Sequence, residues 1–434
     1  MKKARSIMPS IEDHPQRYTL VNELHARPAA KIVAPGVAVF LAVKPARDAS
    51  KRDRGADRAH LLSLLDRHGA GHPAPDATHH SAELGRHHLK WESHTEFVTY
   101  TAFEQGVAER PFDPAAFDVF AEPWLQNAPG MRLTSILFQI EIMSEDTSEM
   151  LEKLLDWFVP ESLAASYVLD GTAIIASDFR IDHAGHIRMA VFVKPGTGGR
   201  RIGRILQRLC EIETYKTISM LGLLRARALS PQMAALDDEL SRMTRAMMEP
   251  DKRSEETLEA LLRISSELEN MMVENSFRFG ATGAYEALVH QRIEVLREER
   301  FNGRQTLQEF MTRRYDPAMR TVKSAEARLS KMAERAMRAG QLLGTRVDVE
   351  RSAQNQKLLE SMDRRADLQL RLQNTVEGLS VVAISYYAVN LASYVAMPIM
   401  EPFGISRGVA MAILAPLVVL GVWGMVRRIR RHFD

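Results

Sequence analysis

A chain of 434 residues is long enough for two or three structural units and for a sizeable buried core. Its 57 lysines and arginines against 55 acidic residues leave a net charge of +2, which makes no case for a nucleic-acid partner. The single cysteine, Cys210, excludes an internal disulfide and a cysteine-rich metal site, as suits a reducing cytoplasm.

The first segment, residues 1–35, reads as an extended arm. It starts with lysines but has no apolar run behind them, so it is not expected to act as a signal peptide. Within YTLVNELHARPAA, the residues Glu23, His25 and Arg27 are spaced two apart and share one side of an extended backbone. Residues 36–199 read as an α/β region of an α+β fold. A Val-rich strand over Gly36–Val43 precedes a helix whose Ala59, Leu61, Leu64 and Leu65 share a face. ATHHSAE, a turn at Gly85 and the long arm HHLKWESHTEFVTYTAF form a hairpin; a short helical piece then leads to the alternating strand MRLTSILFQIEI. That order is the one of a ferredoxin-like split βαβ unit. After the helix EDTSEMLEKLLDWF, three Ile/Val/Ala-rich strands between Ser162 and Gly196 predict a second small antiparallel sheet, which would either extend the first or cover its far side.

Residues 200–375 read as a helical, coiled-coil stalk. Ile202, Ile205, Leu206, Leu209 and Ile212 recur at helical spacing; a restart is expected at Ser230-Pro231, and a break at SFRFGATGA. Pro317 opens a run that continues through the stalk into the apolar segment GLSVVAISYYAVNLASYVAM, with Gly340 and Gly344 as the places where it would be interrupted. A second apolar run, GVAMAILAPLVVLGVWGMV, completes a hairpin over residues 376–426, each run approaching the roughly 20 residues that cross a hydrocarbon core. Arg364, Arg365 and Arg371 precede it, and a basic tail, residues 427–434, follows with Arg427, Arg428, Arg430 and Arg431. The positive-inside rule then puts both ends in the cytoplasm, with the lipid bilayer of the inner membrane as a partner.

Counted as heptads from the stalk, Ser380, Tyr387, Asn390, Tyr394 and Glu401 fall on one stripe of the first span. Polar groups at bilayer depth face protein or water, so this stripe is a candidate seam between helices of several copies, or a pore lining. Self-association through the stalk is the expectation either way.

The motifs YTLVNELHARPAA, LKWESHTEFVTYTAF, RLCEIETYKTISMLGL and VEGLSVVAISYYAVNL resemble an uncharacterised family of bacterial membrane-anchored proteins, domain of unknown function 3422. The likeness covers nearly the whole chain. It implies a location and an architecture but no reaction. The layout is also similar to that of CorA-type magnesium channels, although MPIMEPFG stands where their Gly-Met-Asn triplet would be.

Several groups are candidates for chemistry. On a continuous strand Glu92, His94 and Glu96 would alternate onto one face, where with Glu23 or His25 they could bind a divalent cation; a solvated polar face is the plainer reading. His79, His80, His87 and His88 flank the Gly85 turn, but neighbours in a strand point to opposite faces, so no adjacent pair offers two ligands together. KPGTGGRR could cradle an anion at a helix start, yet lacks the Gly-Lys-Ser/Thr of a phosphate loop and reads as a turn. No hydrolase, zinc-protease or kinase signature occurs, so no catalytic residue and no further cofactor are expected, and an enzyme is disfavoured. Two readings remain: a membrane-anchored scaffold or sensor, and a CorA-like cation channel.

Overall fold

The computed structural model describes residues 11–18, 20–21, 29–46, 52–107, 110–248, 254–400 and 406–433. Its contacts divide the chain into two units: residues 1–245 with 260–337, and residues 246–259 with 338–434.

The first unit is built on one nine-stranded sheet. Strand β1 (Gly36–Lys44) leads to helix α1 (Arg54–Arg67), whose N-cap Asp53 accepts hydrogen bonds from the amides of Gly55 and Ala56. Strands β2 (His79–Leu84), β3 (His87–Ser93) and β4 (Val98–Gln105) follow, then a 3-10 turn (Pro114–Val119), helix α2 (Glu122–Gln126) and strand β5 (Met131–Ile142). Helix α3 (Thr147–Trp157), capped by Asp146, precedes β6 (Ala164–Val168), β7 (Ala173–Ser177) and β8 (Ile187–Val193). Strand order is β2-β3-β4-β1-β5-β8-β7-β6, with the two-residue β9 (Glu299–Arg300) at the far edge.

The split βαβ pairing is present: β1 lies between antiparallel β4 and β5, and β3 pairs antiparallel with β4, so β1 and β3 run the same way with β4 between them. Its hairpin, however, is β3–β4. The arm read as one long strand folds back at His94–Phe97, and β2 becomes an extra edge strand on β3. Of the two placements open to the later strands, the structure has the one that extends the first sheet. β6, β7 and β8 do form a meander, but β8 lies parallel to β5, Ile136 opposite Ile187, and extends the first sheet. Ladder hydrogen bonds to an otherwise unpaired β5 edge favour one continuous sheet over two.

Alternation along the strands gives the sheet two apolar faces. On one, Leu61, Leu64 and Leu65 of α1, Trp124 of α2 and Leu154 of α3 bury against Trp91, Tyr100, Leu137 and Phe192. Burial of each such aliphatic side chain contributes about 1.5–3 kcal/mol. On the other face, helix α4 (Gly199–Ala246) places Leu206 and Cys210 beside Phe40, and Leu209 beside Ile175 and Met189. α4 runs unbroken through Pro231, where a break was expected: Leu229, Met233 and Leu236, buried around it, offset the lost amide hydrogen bond. Helix α5 (Ser254–Glu294) likewise continues through the glycines of SFRFGATGA. Here Thr282 packs on Gly222 of α4 so closely that a Cβ at Gly222 would lie 2.3 Å from its hydroxyl. Helix α6 (Leu307–Arg314) opens with a capping box between Thr306 and Glu309.

Helix α7 (Asp316–Met400) begins at the Asp316-Pro317 start expected and is uninterrupted at Gly340 and Gly344; α8 (Arg407–Phe433) follows. In the second unit every residue from Asp348 to Val376 is exposed, including Leu358, Leu359, Met362, Leu368, Leu370 and Leu372.

Candidate functional site

The β3–β4 turn collects buried charge at one end of the sheet. His94 N–H donates to the Phe97 carbonyl (2.9 Å), which closes the turn. Glu96, 1% exposed, accepts from Arg278 Nη2 of α5 at 2.5 Å. Burial and then the Glu96 charge hold the Tyr285 hydroxyl well above its ordinary pKa, so it stays protonated. Arg52 anchors the other side of the turn: its guanidinium reaches Asp57 of α1 at 2.5 Å, Ser93 Oγ at 3.0 Å and the His94 carbonyl at 2.5 Å. Burial, followed by the Arg278 charge, pushes the Lys44 ammonium below its usual pKa.

His94 stacks on Phe97 with ring centroids 4.3 Å apart, its Nε2 3.5 Å from Thr99 Oγ1. Tyr215 of α4 and Tyr285 of α5 stack at 5.4 Å, and together these rings line a cleft of about 310 Å³. An imidazole and three further aromatic rings lining one cleft can recognise a polar ligand by hydrogen bonding and stacking.

The alternation expected for Glu92, His94 and Glu96 is not formed, because β3 ends at Ser93. Glu92 instead points toward α4 and pairs with Lys90 at 3.0 Å, while Glu96 turns to Arg278. Among the described residues no three His, Cys, Asp or Glu side chains are grouped to hold a metal ion. Glu23 and His25 lie outside the described residues. The histidines at the Gly85 turn do diverge: His87 approaches Glu104 of β4 (3.4 Å) and His88 meets Glu83 of β2 (2.6 Å). KPGTGGRR is a turn with Gly196 at φ +77°, closed by Thr197 Oγ1 donating to the Lys194 carbonyl (2.7 Å). Cys210 is buried, and burial drives its thiol pKa up, which keeps it an unreactive packing residue. Sequence reading missed Arg52, Lys90, Arg278, Tyr215 and Tyr285, each of which has a partner far along the chain, Lys90 in Gln207 and Arg52 in Ser93.

In the second unit, two helical runs, one ending at Ala396 and one over Gly408–Arg428, are long and apolar enough to cross a membrane. Positions of the proposed seam differ in environment. Ser380 Oγ donates to the Val376 carbonyl of its own helix (2.8 Å). Tyr387 and Tyr394 are 72% and 74% exposed, whereas Asn390 is half-buried beside the small-residue stripe of Ser385, Ala388, Ala392 and Ser393. The covered stripe is therefore mostly small residues, with Val381 and Val389 beside them, which lets helices approach closely, and the tyrosines lie off it. Glu401 lies outside the described residues.

These features define an α+β protein with two C-terminal helices of membrane-crossing length and composition. The chain belongs to the family described as "Protein of unknown function (DUF3422)", whose model matches residues 12–433. No curated protein and no solved structure matches it, so the likeness in layout to CorA-type channels has no counterpart there.

Proposed function

We propose that this protein is a membrane-anchored, self-associating scaffold or sensor, and not an enzyme, with its α+β body and both ends of the hairpin on the cytoplasmic side of the inner membrane. One observation carries the reading: the apolar faces of the sheet are buried, while Val382, Leu391, Val395, Ile413, Leu417 and Leu420 of α7 and α8 are exposed. Lipid is the solvent that accepts such surface. Arginines before the first run and after the second support the orientation. A reporter fused after Asp434 is expected to be active in its cytoplasmic form; activity only in the periplasmic form would refute the topology.

Self-association is supported by the stalk. A single helix exposed on every side from Asp348 to Val376, with leucines on it, is marginal alone in water. Packing of these leucines and of Tyr387 and Tyr394 between copies would cover them. Light scattering of the detergent-solubilised chain should then give a multiple of the 48.9 kDa protomer mass. A monomer at all concentrations would remove this part of the reading.

A further inference from the structure

Beside the first turns of α4 the first unit carries a second cleft, of about 830 Å³, whose walls are strongly basic. Arg200, Arg204 and Arg208 stand four residues apart and so form one stripe of α4; Lys31 and Arg292 add two more cations. The one carboxylate in the lining, Glu211, is already taken by an ion pair with Arg292 and by the Gln207 amide (2.8 Å). Among the described residues none of Lys31, Arg200, Arg204 and Arg208 has an ion-pair partner. Their neighbours just outside the cleft are satisfied: Arg297 pairs with Asp170 at 2.6 Å, and Arg201 donates to the Leu169 carbonyl at 3.2 Å.

Two further facts agree with an excess of positive charge here among the described residues. Burial, then repulsion from Arg204 and Arg292, lowers the Arg208 pKa, the sign of a cation held among cations. The first turn of α4 also carries Arg200 and Arg201 and no acid, against the preference for negative charge at that end of a helix. The volume lies within the range of small-molecule sites and exceeds what one phosphate fills. Among the described residues His88 is the one ring in the lining, against four arginines and a lysine, so charge dominates recognition there.

We propose that this cleft binds a phosphorylated anion bearing two or more negative charges, gripped by the forked guanidinium groups of Arg200, Arg204 and Arg208 with Lys31 beside the first turn of the same helix. The phosphate can belong to a free molecule or to a lipid headgroup. This inference does not rest on the anchoring reading.

The test is calorimetric titration of the full-length chain in detergent micelles with pyrophosphate, ATP and dioctanoyl phosphatidic acid, whose phosphomonoester can carry two charges. Saturable binding of at least one is expected, weakened by added salt and at least about tenfold weaker in Arg204→Gln and in Arg208→Gln. Arg320→Gln, exposed on α7, should bind as the wild type does. Because Arg204 is exposed, its replacement spares the core, and an unchanged melting temperature checks this. Binding of pyrophosphate or ATP identifies a soluble ligand; binding of the lipid alone identifies a headgroup site. Absence of saturable binding to all three, or equal affinity in both cleft variants, overturns the proposal.

Discussion

Glu96 and Arg278 decide how the β3–β4 turn is held, because a carboxylate 1% exposed is tolerable only with its partner in place. Arg278→Ala is expected to cost about 3–5 kcal/mol in denaturant unfolding, whereas Glu96→Gln combined with Arg278→Met should recover more than half of that. Equal losses in the single and double variants would mean that the pair is not what fastens the turn. Two buried imidazoles make stability depend on pH. His60, between Tyr100 Oη (3.1 Å) and the Trp124 carbonyl (2.9 Å), and His186, stacked on Phe117 at 3.8 Å, both have pKa values lowered by burial from the ordinary 6.5. They are neutral in the fold, so the unfolded chain binds more protons below that value, and stability falls as pH drops through it. Melting temperatures measured between about pH 8 and pH 5 should decline less steeply in a His60→Gln, His186→Gln variant, even from a lower starting point. An unaltered slope would assign the acid sensitivity elsewhere. The polar cluster was half legible. Glu92, His94 and Glu96 were visible as a chemical group, and Glu92 and His94 do line one cleft, but alternation assumes a straight strand, and the turn that takes Glu96 to Arg278 is set by Arg52 and Arg278 from distant segments.

Helix packing turns on glycine at two kinds of position. A Cβ on Gly203 of α4 would stand 1.9 Å from the Ala30 carbonyl, so the segment before β1 lies against that helix only because no side chain is there. Gly203→Ala should destabilise by about 1–3 kcal/mol. Nothing lies within 4 Å of a Cβ at Gly340, in the middle of α7, and Gly340→Ala should stabilise by about 0.5–1 kcal/mol. Thermal melts of the two variants moving in the same direction would contradict this packing. Apolar periodicity made the long helices and most strands readable in the sequence. Their joins were less so: the Pro231 and Gly280 positions carry breaker residues, and burial of Leu229, Met233 and Phe279 overrides them. The parallel β5–β8 ladder was hidden for another reason. It pairs residues some fifty positions apart, Ile136 with Ile187, and no local pattern reports such a contact.

At the scale of the molecule, the two units present opposite surfaces to solvent: a sheet with both faces covered, and a pair of apolar helices with little covering. Membrane-crossing length was legible at once, since a charge-free run needs no tertiary context to be recognised. Which face of it packs was not, because small residues such as Ala388 and Ala392 carry little hydropathy signal although they form the covered stripe. On the proposed reading the hairpin is the principal anchor of the body to the bilayer. That role is tested most directly by flotation with liposomes of the full-length chain against a chain ended at Thr375. The full-length chain is expected to float with liposomes of neutral lipid, and the shortened one to stay in the dense fraction with the far-ultraviolet spectrum of a folded α+β body. A shortened chain that floats as completely as the full-length protein would contradict it.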